Sequence, residues 1–226
     1  MRNVPNTKDY RFFPGRTIQP DTTPSAFAWK EAADLEALGD EMPLRQGEFV
    51  LSMEEAFRRK ETHALLVIRH DTILYEKYFA GWDQDEWVTT FSISKSFVNA
   101  LVALALEQGR IGSLQEKVVQ YVPEMKAVEG FEAVTISHLM QMTSGLYMKN
   151  HTLSPFSDIN KAYYGRHLRK LYTKQEMRWP AGEQFWYNNA NTGILAWVLE
   201  RATGMTVSQL LQEQLWQPLG MQGQAE

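Results

Sequence analysis

The stretch Phe97-Val98-Asn99-Ala100-Leu101-Val102-Ala103-Leu104-Ala105-Leu106 constrains the fold more than any other part of this chain. It has one polar member and no solvent face, and a helix greasy nearly all round is predicted to be buried. It is too short to span a bilayer. The helix reads from Ser92 to about Gln108 and stops at Gly109, a residue suited to the left-handed cap position. Ser92, Lys95, Ser96 and Asn99 fall at i, i+3, i+4 and i+7, so one polar stripe runs along it. An ammonium on a buried helix needs partners, because burying it unpaired is costly. Ser92 lies in the first turn, where free N–H groups and the helix dipole favour developing negative charge.

An acyl-transfer site needs these features. A hydroxyl is a weak nucleophile until a neighbouring base takes its proton. A lysine one turn along can do so if burial or a second cation lowers its pKa. The backbone N–H of the nucleophile supplies half of an oxyanion hole. The tetrapeptide alone is a weak signal. With 11 Ser and 11 Lys in 226 residues, chance gives about 0.5 Ser-x-x-Lys matches. Context strengthens it: Tyr187-Asn188-Asn189 follows the turn Pro180-Ala181-Gly182-Glu183 and precedes another apolar helix. A plain reading stays open beside the chemical one. Ser92 also fits a helix N-cap with Lys95 in solvent, Tyr187 a core tyrosine with a bonded hydroxyl, and Asn189 a turn-former.

Residues 1–50 show no sustained period and read as an N-terminal arm, with a short helix near Trp29–Leu38. Residues 51–226 read as one further domain, helical from about 91 onward. Ser52-Met53-Glu54-Glu55 is a capping box opening a helix to about Lys60. Ala64–Ile68 predicts a buried strand, His70-Asp71 a turn, and Thr72–Phe79 the hairpin partner. Ser113-Leu114-Gln115-Glu116 reads as a second capping box. Thr135 caps a short helix ending near Thr143, residues 146–157 form a loop, and Asp158 caps a helix through Leu171. Ala190–Ala202 is helical and closes at Gly204. Thr206 caps a last helix that Pro218 ends.

Net charge is −4, which argues against a nucleic-acid partner. There is no cysteine, so disulfides, zinc–thiolate sites and thiol catalysis are excluded. The five histidines form no metal-ligand spacing, and no metal or other cofactor is expected. His138 reads as a satisfied core residue. Tyr147, His151 and Trp186 flank the motifs as candidate pocket lining. Met1–Asn6 has one positive charge and no apolar stretch behind it, which predicts a soluble chain with no signal peptide and leaves the compartment open.

Several segments occur in a recognisable order: Phe91-Ser92-Ile93-Ser94-Lys95-Ser96-Phe97, Thr143-Ser144-Gly145-Leu146, Pro180–Asn189, Glu200-Arg201-Ala202-Thr203-Gly204 and Pro218-Leu219-Gly220-Met221. In these the chain resembles the penicillin-binding-protein-like serine hydrolases. That family includes class C β-lactamases, family VIII esterases, D-amino-acid peptidases and 6-aminohexanoate-oligomer hydrolases. The resemblance covers about residues 60–221 and leans to the esterase and aminohexanoate-hydrolase branch.

The resemblance implies an α/β (α+β) fold of β-lactamase/transpeptidase type. It implies Ser92 as acylated nucleophile, Lys95 and Tyr187 sharing the proton work, and Asn189 binding substrate or Lys95. It implies hydrolysis of a small-molecule ester, amide or lactam without cofactor. The family's third motif, a Lys-Thr-Gly or His-x-Gly triad on a strand, has no counterpart after Met221. Ala202-Thr203-Gly204 reads as a helix C-cap instead. The expectation is a partial domain, first strands plus helical region, with an unpaired sheet edge and uncovered apolar surface. Two further readings stay open: a non-catalytic binding protein on the same scaffold, and a D,D-peptidase.

Overall fold

Capping residues set most of the helix starts in the computed structural model, which describes residues 5–22, 44–46, 49–70, 72–148 and 157–226. The expected helix near 29–38 lies outside those residues. A hairpin that the sequence did not announce, β1 (Leu44–Gln46) and β2 (Phe49–Leu51), leads into helix α1 (Met53–Arg59). Ser52 Oγ accepts the Glu55 N–H at 3.2 Å, whereas the Glu55 carboxylate turns to Arg59 and leaves the box half closed. The second hairpin joins β3 (Ala64–Arg69) and β4 (Thr72–Tyr78) as read, antiparallel, with a bulge between Val67 and Ile68. Strand β3 is not buried, however: Leu66 and Ile68 are each 48% exposed. The sheet has two strands, and among the described residues no third strand pairs with it.

Helix α2 (Ser94–Glu107) starts two residues later than expected. Ser92 sits just ahead of it in a single 3-10 turn, Phe91–Ile93. The helix is also less buried than its apolar run implies. Only Leu101, Val102 and Ala105 are buried, because the helix packs mainly against one later helix, Asn189–Thr203, and leaves Ala103 and the first turn open.

Ser113 opens no helix. Its Oγ accepts the Gln115 N–H, while the Glu116 carboxylate accepts from Gly112 N and the Tyr121 hydroxyl. Lys117 then runs extended and bridges Thr135, which breaks any helical start. Three 3-10 turns follow, Val118–Gln120, Pro123–Ala127 and Phe131–Ala133. They deliver Val118, Val122, Met125, Phe131 and Val134 to the core at 0% exposure.

Helix α3 (Ile136–Met140) has a full capping box. Thr135 Oγ1 accepts the His138 N–H, and His138 Nδ1 accepts the Thr135 N–H, both at 3.2 Å. Burial, helped by Lys117, holds the His138 imidazole below its usual pKa, which keeps Nδ1 an acceptor.

The segment after Gly145 begins as a strand rather than a loop: β5 (Leu146–Tyr147) pairs antiparallel with β6 (Glu176–Met177). The expected helix through Leu171 is two helices, α4 (Asp158–Tyr164) and α5 (Leu168–Tyr172). Ser157, not Asp158, is the cap. The break falls at Gly165, whose extended backbone brings it against the Lys161 carbonyl, 2.1 Å from where a Cβ would stand. Helix α6 (Asn189–Thr203) closes at Gly204 as read, with φ +75 and its N–H on Glu200 O. Helix α7 (Val207–Leu211) has the Thr206–Gln209 capping box and runs on through a π-helical turn to Trp216. Helices α2, α3, α5 and α7 all pack on α6, whose Ile194, Leu195, Val198 and Leu199 are at most 1% exposed. Among the described residues no helix is long and apolar enough to cross a membrane.

Candidate active site

The nucleophile candidate stands on a strained turn. Phe91, the residue before Ser92, has φ +47, a left-handed conformation that a bulky side chain seldom adopts. Such a residue costs on the order of 1–3 kcal/mol and persists only where its surroundings hold it. Ser94 Oγ donates to Phe91 O at 2.6 Å, and Ile93 N to Thr90 O at 3.2 Å, which pins the turn from inside. Ser92 is exposed on this turn.

Lys95 is one residue into α2, on the same face as Ser92. Its Nζ donates to Ser92 Oγ at 3.0 Å. Tyr187 comes from the far side of the sequence and donates its hydroxyl to the same oxygen at 2.8 Å. The Lys95 ammonium lies 5.3 Å from the centre of the Tyr187 ring. Three of the four sequence-predicted residues therefore converge on one atom.

Tyr187 is held by its neighbours. Trp186 N–H donates to Met142 O and Gly182 N–H to Thr143 O, each at 2.8 Å. Asn188 is 2% exposed. Its Oδ1 caps α6 by accepting Ala190 N–H at 2.9 Å, and its Nδ2 donates to Leu146 O at 3.0 Å. Gly145, at φ +83, lets this segment close: a Cβ there would lie 2.0 Å from Trp179 O.

Asn189, the fourth predicted residue, is the first residue of α6 and is exposed. Among the described residues it makes no hydrogen bond to Ser92, Lys95 or Tyr187. Sequence reasoning passed over its neighbours Asn188 and Asn191. Asn191 is fully buried and accepts the Ser144 hydroxyl at 2.7 Å, which ties the Thr143-Ser144-Gly145 turn to α6. The available signal was an asparagine at i+3 from the helix cap on a helix otherwise apolar along that side.

Burial alone would raise the Tyr187 phenol. The hydrogen bond to Ser92 and the adjacent Lys95 ammonium outweigh it and hold the phenol below a tyrosine's usual value. Each partner now donates to Ser92 Oγ. Once either has lost its proton, the same contact can accept the serine's. The rings of Tyr147, Trp179 and Trp186 cluster with centroids 5.3 to 6.5 Å apart. His151, the other suggested pocket residue, lies outside the described residues.

Residues 52–224 match the family model described as Beta-lactamase. The chain is 28% identical over 195 residues to a 6-aminohexanoate-dimer hydrolase of Paenarthrobacter ureafaciens, covering 82% of this chain and 47% of that protein. It is 26% identical to a beta-lactamase of Escherichia coli K12 over 57% of this chain and 32% of the relative. Among solved structures, a Bacillus anthracis protein provisionally assigned as a 6-aminohexanoate-dimer hydrolase superposes with a TM-score of 0.82 at 22% identity. That superposition covers 97% of this chain and 59% of the other. A penicillin-binding protein from Bacillus halodurans superposes with a TM-score of 0.51 at 22% identity, over 66% of this chain and 49% of the other. The fold is that of the β-lactamase/transpeptidase type, and the chain spans about half or less of the length of the curated relatives it matches.

Proposed function

We propose, from the premise that this chain belongs to the beta-lactamase family, that it is a serine hydrolase acting on a small-molecule ester, amide or lactam through an acyl-Ser92 intermediate. The observation that carries this reading is the meeting of Lys95 Nζ and Tyr187 Oη on Ser92 Oγ at 3.0 and 2.8 Å.

The steps follow from that geometry. Tyr187 as phenolate, or Lys95 as free amine, takes the Ser92 proton while Oγ bonds to the substrate carbonyl carbon. The Ser92 backbone N–H, in the single turn ahead of α2, is the donor this reading assigns to the oxygen that becomes negative. The C–O or C–N bond of the tetrahedral species breaks, and the departing group receives the proton held by the base. Water then attacks the acyl carbon, gives a proton to the same base, and the Ser92 ester bond breaks to return the hydroxyl. Lys95 and Tyr187 both contact the same oxygen, so this reading gives both a part in moving its proton.

Release of nitrophenol from a nitrophenyl ester tests this. The rate is expected to rise with pH through an apparent pKa below tyrosine's usual value of about 10. Lys95→Met removes the cation that holds the phenol down, so the inflection moves upward. A wild-type rate equal to that of Ser92→Ala at every pH would refute the reading.

One observation favours a second reading, acylation with little turnover. Tyr187 is 48% exposed, and Phe185 beside it 62%. An open site stabilises charge less well than one closed from water. A burst of one nitrophenol per chain with slow release afterwards is the signature of that reading. Slow release after penicillin acylation identifies a D,D-peptidase-like site.

A further inference from the structure

The N-terminal arm reaches the turn that carries Ser92. Residues 5–22 lie ahead of the family-matched region, which starts at 52. Thr89 N–H, three residues before Ser92, donates to Thr7 O at 2.8 Å. Tyr10 and Trp87 set their rings 6.1 Å apart. Between these contacts sits Asp9, a carboxylate only 4% exposed. It accepts Asn6 N–H at 3.0 Å, Asn6 Nδ2 at 2.7 Å and the Tyr163 hydroxyl at 3.0 Å. A buried carboxylate with this many donors is a fixed point, because losing a donor there is costly.

Tyr163 belongs to α4 and carries the contact onward. Its ring lies along that of Phe91, centroids 6.4 Å apart and planes within 22°. Phe13 of the arm meets the same ring edge-on, centroids 5.5 Å apart. Burial and the Asp9 carboxylate both push the Tyr163 phenol up, so it stays a hydrogen-bond donor. Phe91 is the strained residue at φ +47 directly before Ser92.

We propose that residues 5–13 form a strap holding the nucleophile turn in its strained conformation, with Asp9 and Tyr163 as positioning residues. Asp9 fixes the Tyr163 ring. The ring backs Phe91, and Phe91 sets the direction of Ser92 Oγ between Lys95 and Tyr187. Without that backing the turn relaxes toward negative φ, where an aromatic residue is at ease, and Oγ leaves its two partners. The inference rests on Ser92 being the nucleophile.

The test is the second-order rate at which a neutral fluorophosphonate labels Ser92 in the full chain. Asp9→Ala and Tyr163→Phe are each expected to slow labelling about 10-fold, since displacing a reacting atom by a fraction of an ångström carries that order of effect. With an ester substrate the loss falls on kcat more than on KM. Tyr163→Phe keeps the ring and its packing, so it stays informative if Asp9→Ala fails to fold. Phe91→Gly supplies the discriminating background, because glycine takes positive φ without support. In that background Asp9→Ala is expected to add little further loss, which is non-additive. Folded Tyr163→Phe labelled at the wild-type rate overturns the strap, as does full multiplication of the Asp9→Ala and Phe91→Gly losses. A wild-type chain that takes no label overturns the serine site itself and the strap with it.

Discussion

If Ser92 is acylated as proposed, Lys95→Ala is expected to lower the rate of that step by about 10²- to 10⁴-fold, the range over which positioned acid–base groups act. The side chain makes two contacts around the site, a hydrogen bond to Ser92 Oγ and the approach to the Tyr187 ring. Among the described residues these contacts lie at the exposed site and not in the core, so thermal stability should move by no more than about 0.5 kcal/mol. Tyr187→Phe, which retains the ring and loses only the hydroxyl, should fall in the same range. The double variant should be little worse than the worse single one, because groups acting as a unit lose their effect together. Acylation followed by nitrophenol release, with denaturation curves on the same samples, separates chemistry from folding. Wild-type rates in both single variants would remove the proposed base.

Phe131→Ala carries the largest expected loss of stability, about 3–5 kcal/mol, the range for emptying a large aromatic site in a core. Phe131 is fully buried in a 3-10 turn, packed in the core cluster that contains Val118, Val122, Met125 and Val134. Domains are stable by only about 5–15 kcal/mol, so this one change removes a large share. Leu66→Ala is the control. Leu66 is 48% exposed on β3, and its truncation should cost no more than about 0.5 kcal/mol. Urea midpoints for the two variants check the contrast. Equal losses would mean that the β3 face is covered in solution.

Local chemistry was the legible part of this fold. Ser52, Thr135 and Thr206 start helices because their side chains meet the N–H three residues on, an interaction written in four adjacent residues. Gly204 ends α6 for an equally local reason. The readings that failed depended on distant partners. Ser113 and Glu116 look like a capping box, but Tyr121 and Gly112 N take the carboxylate. Five apolar residues in β3 look buried, yet burial needs a layer over them that no spacing announces. Gly165 splits one expected helix in two because its backbone turns extended there, at φ −83 and ψ 150.

The site shows the same division. Ser92 and Lys95 are three residues apart, so the turn running into α2 keeps them close even though the helix itself starts at Ser94. Tyr187 lies 95 positions from Ser92. Only the ordered motifs pointed to it, and the fold delivers it through Trp186 N–H on Met142 O and Asn188 on Leu146 O. The left-handed φ of Phe91 had no sequence signal, because a bulky aromatic residue seldom adopts it and nothing in its neighbours' spelling requires it.

The most direct measurement is the mass of the intact folded protein after exposure to a fluorophosphonate, followed by peptide mapping. A single adduct on the peptide containing Ser92, absent from Ser92→Ala, is the result the account predicts. Folded protein without an adduct, or an adduct that persists in Ser92→Ala, would contradict it.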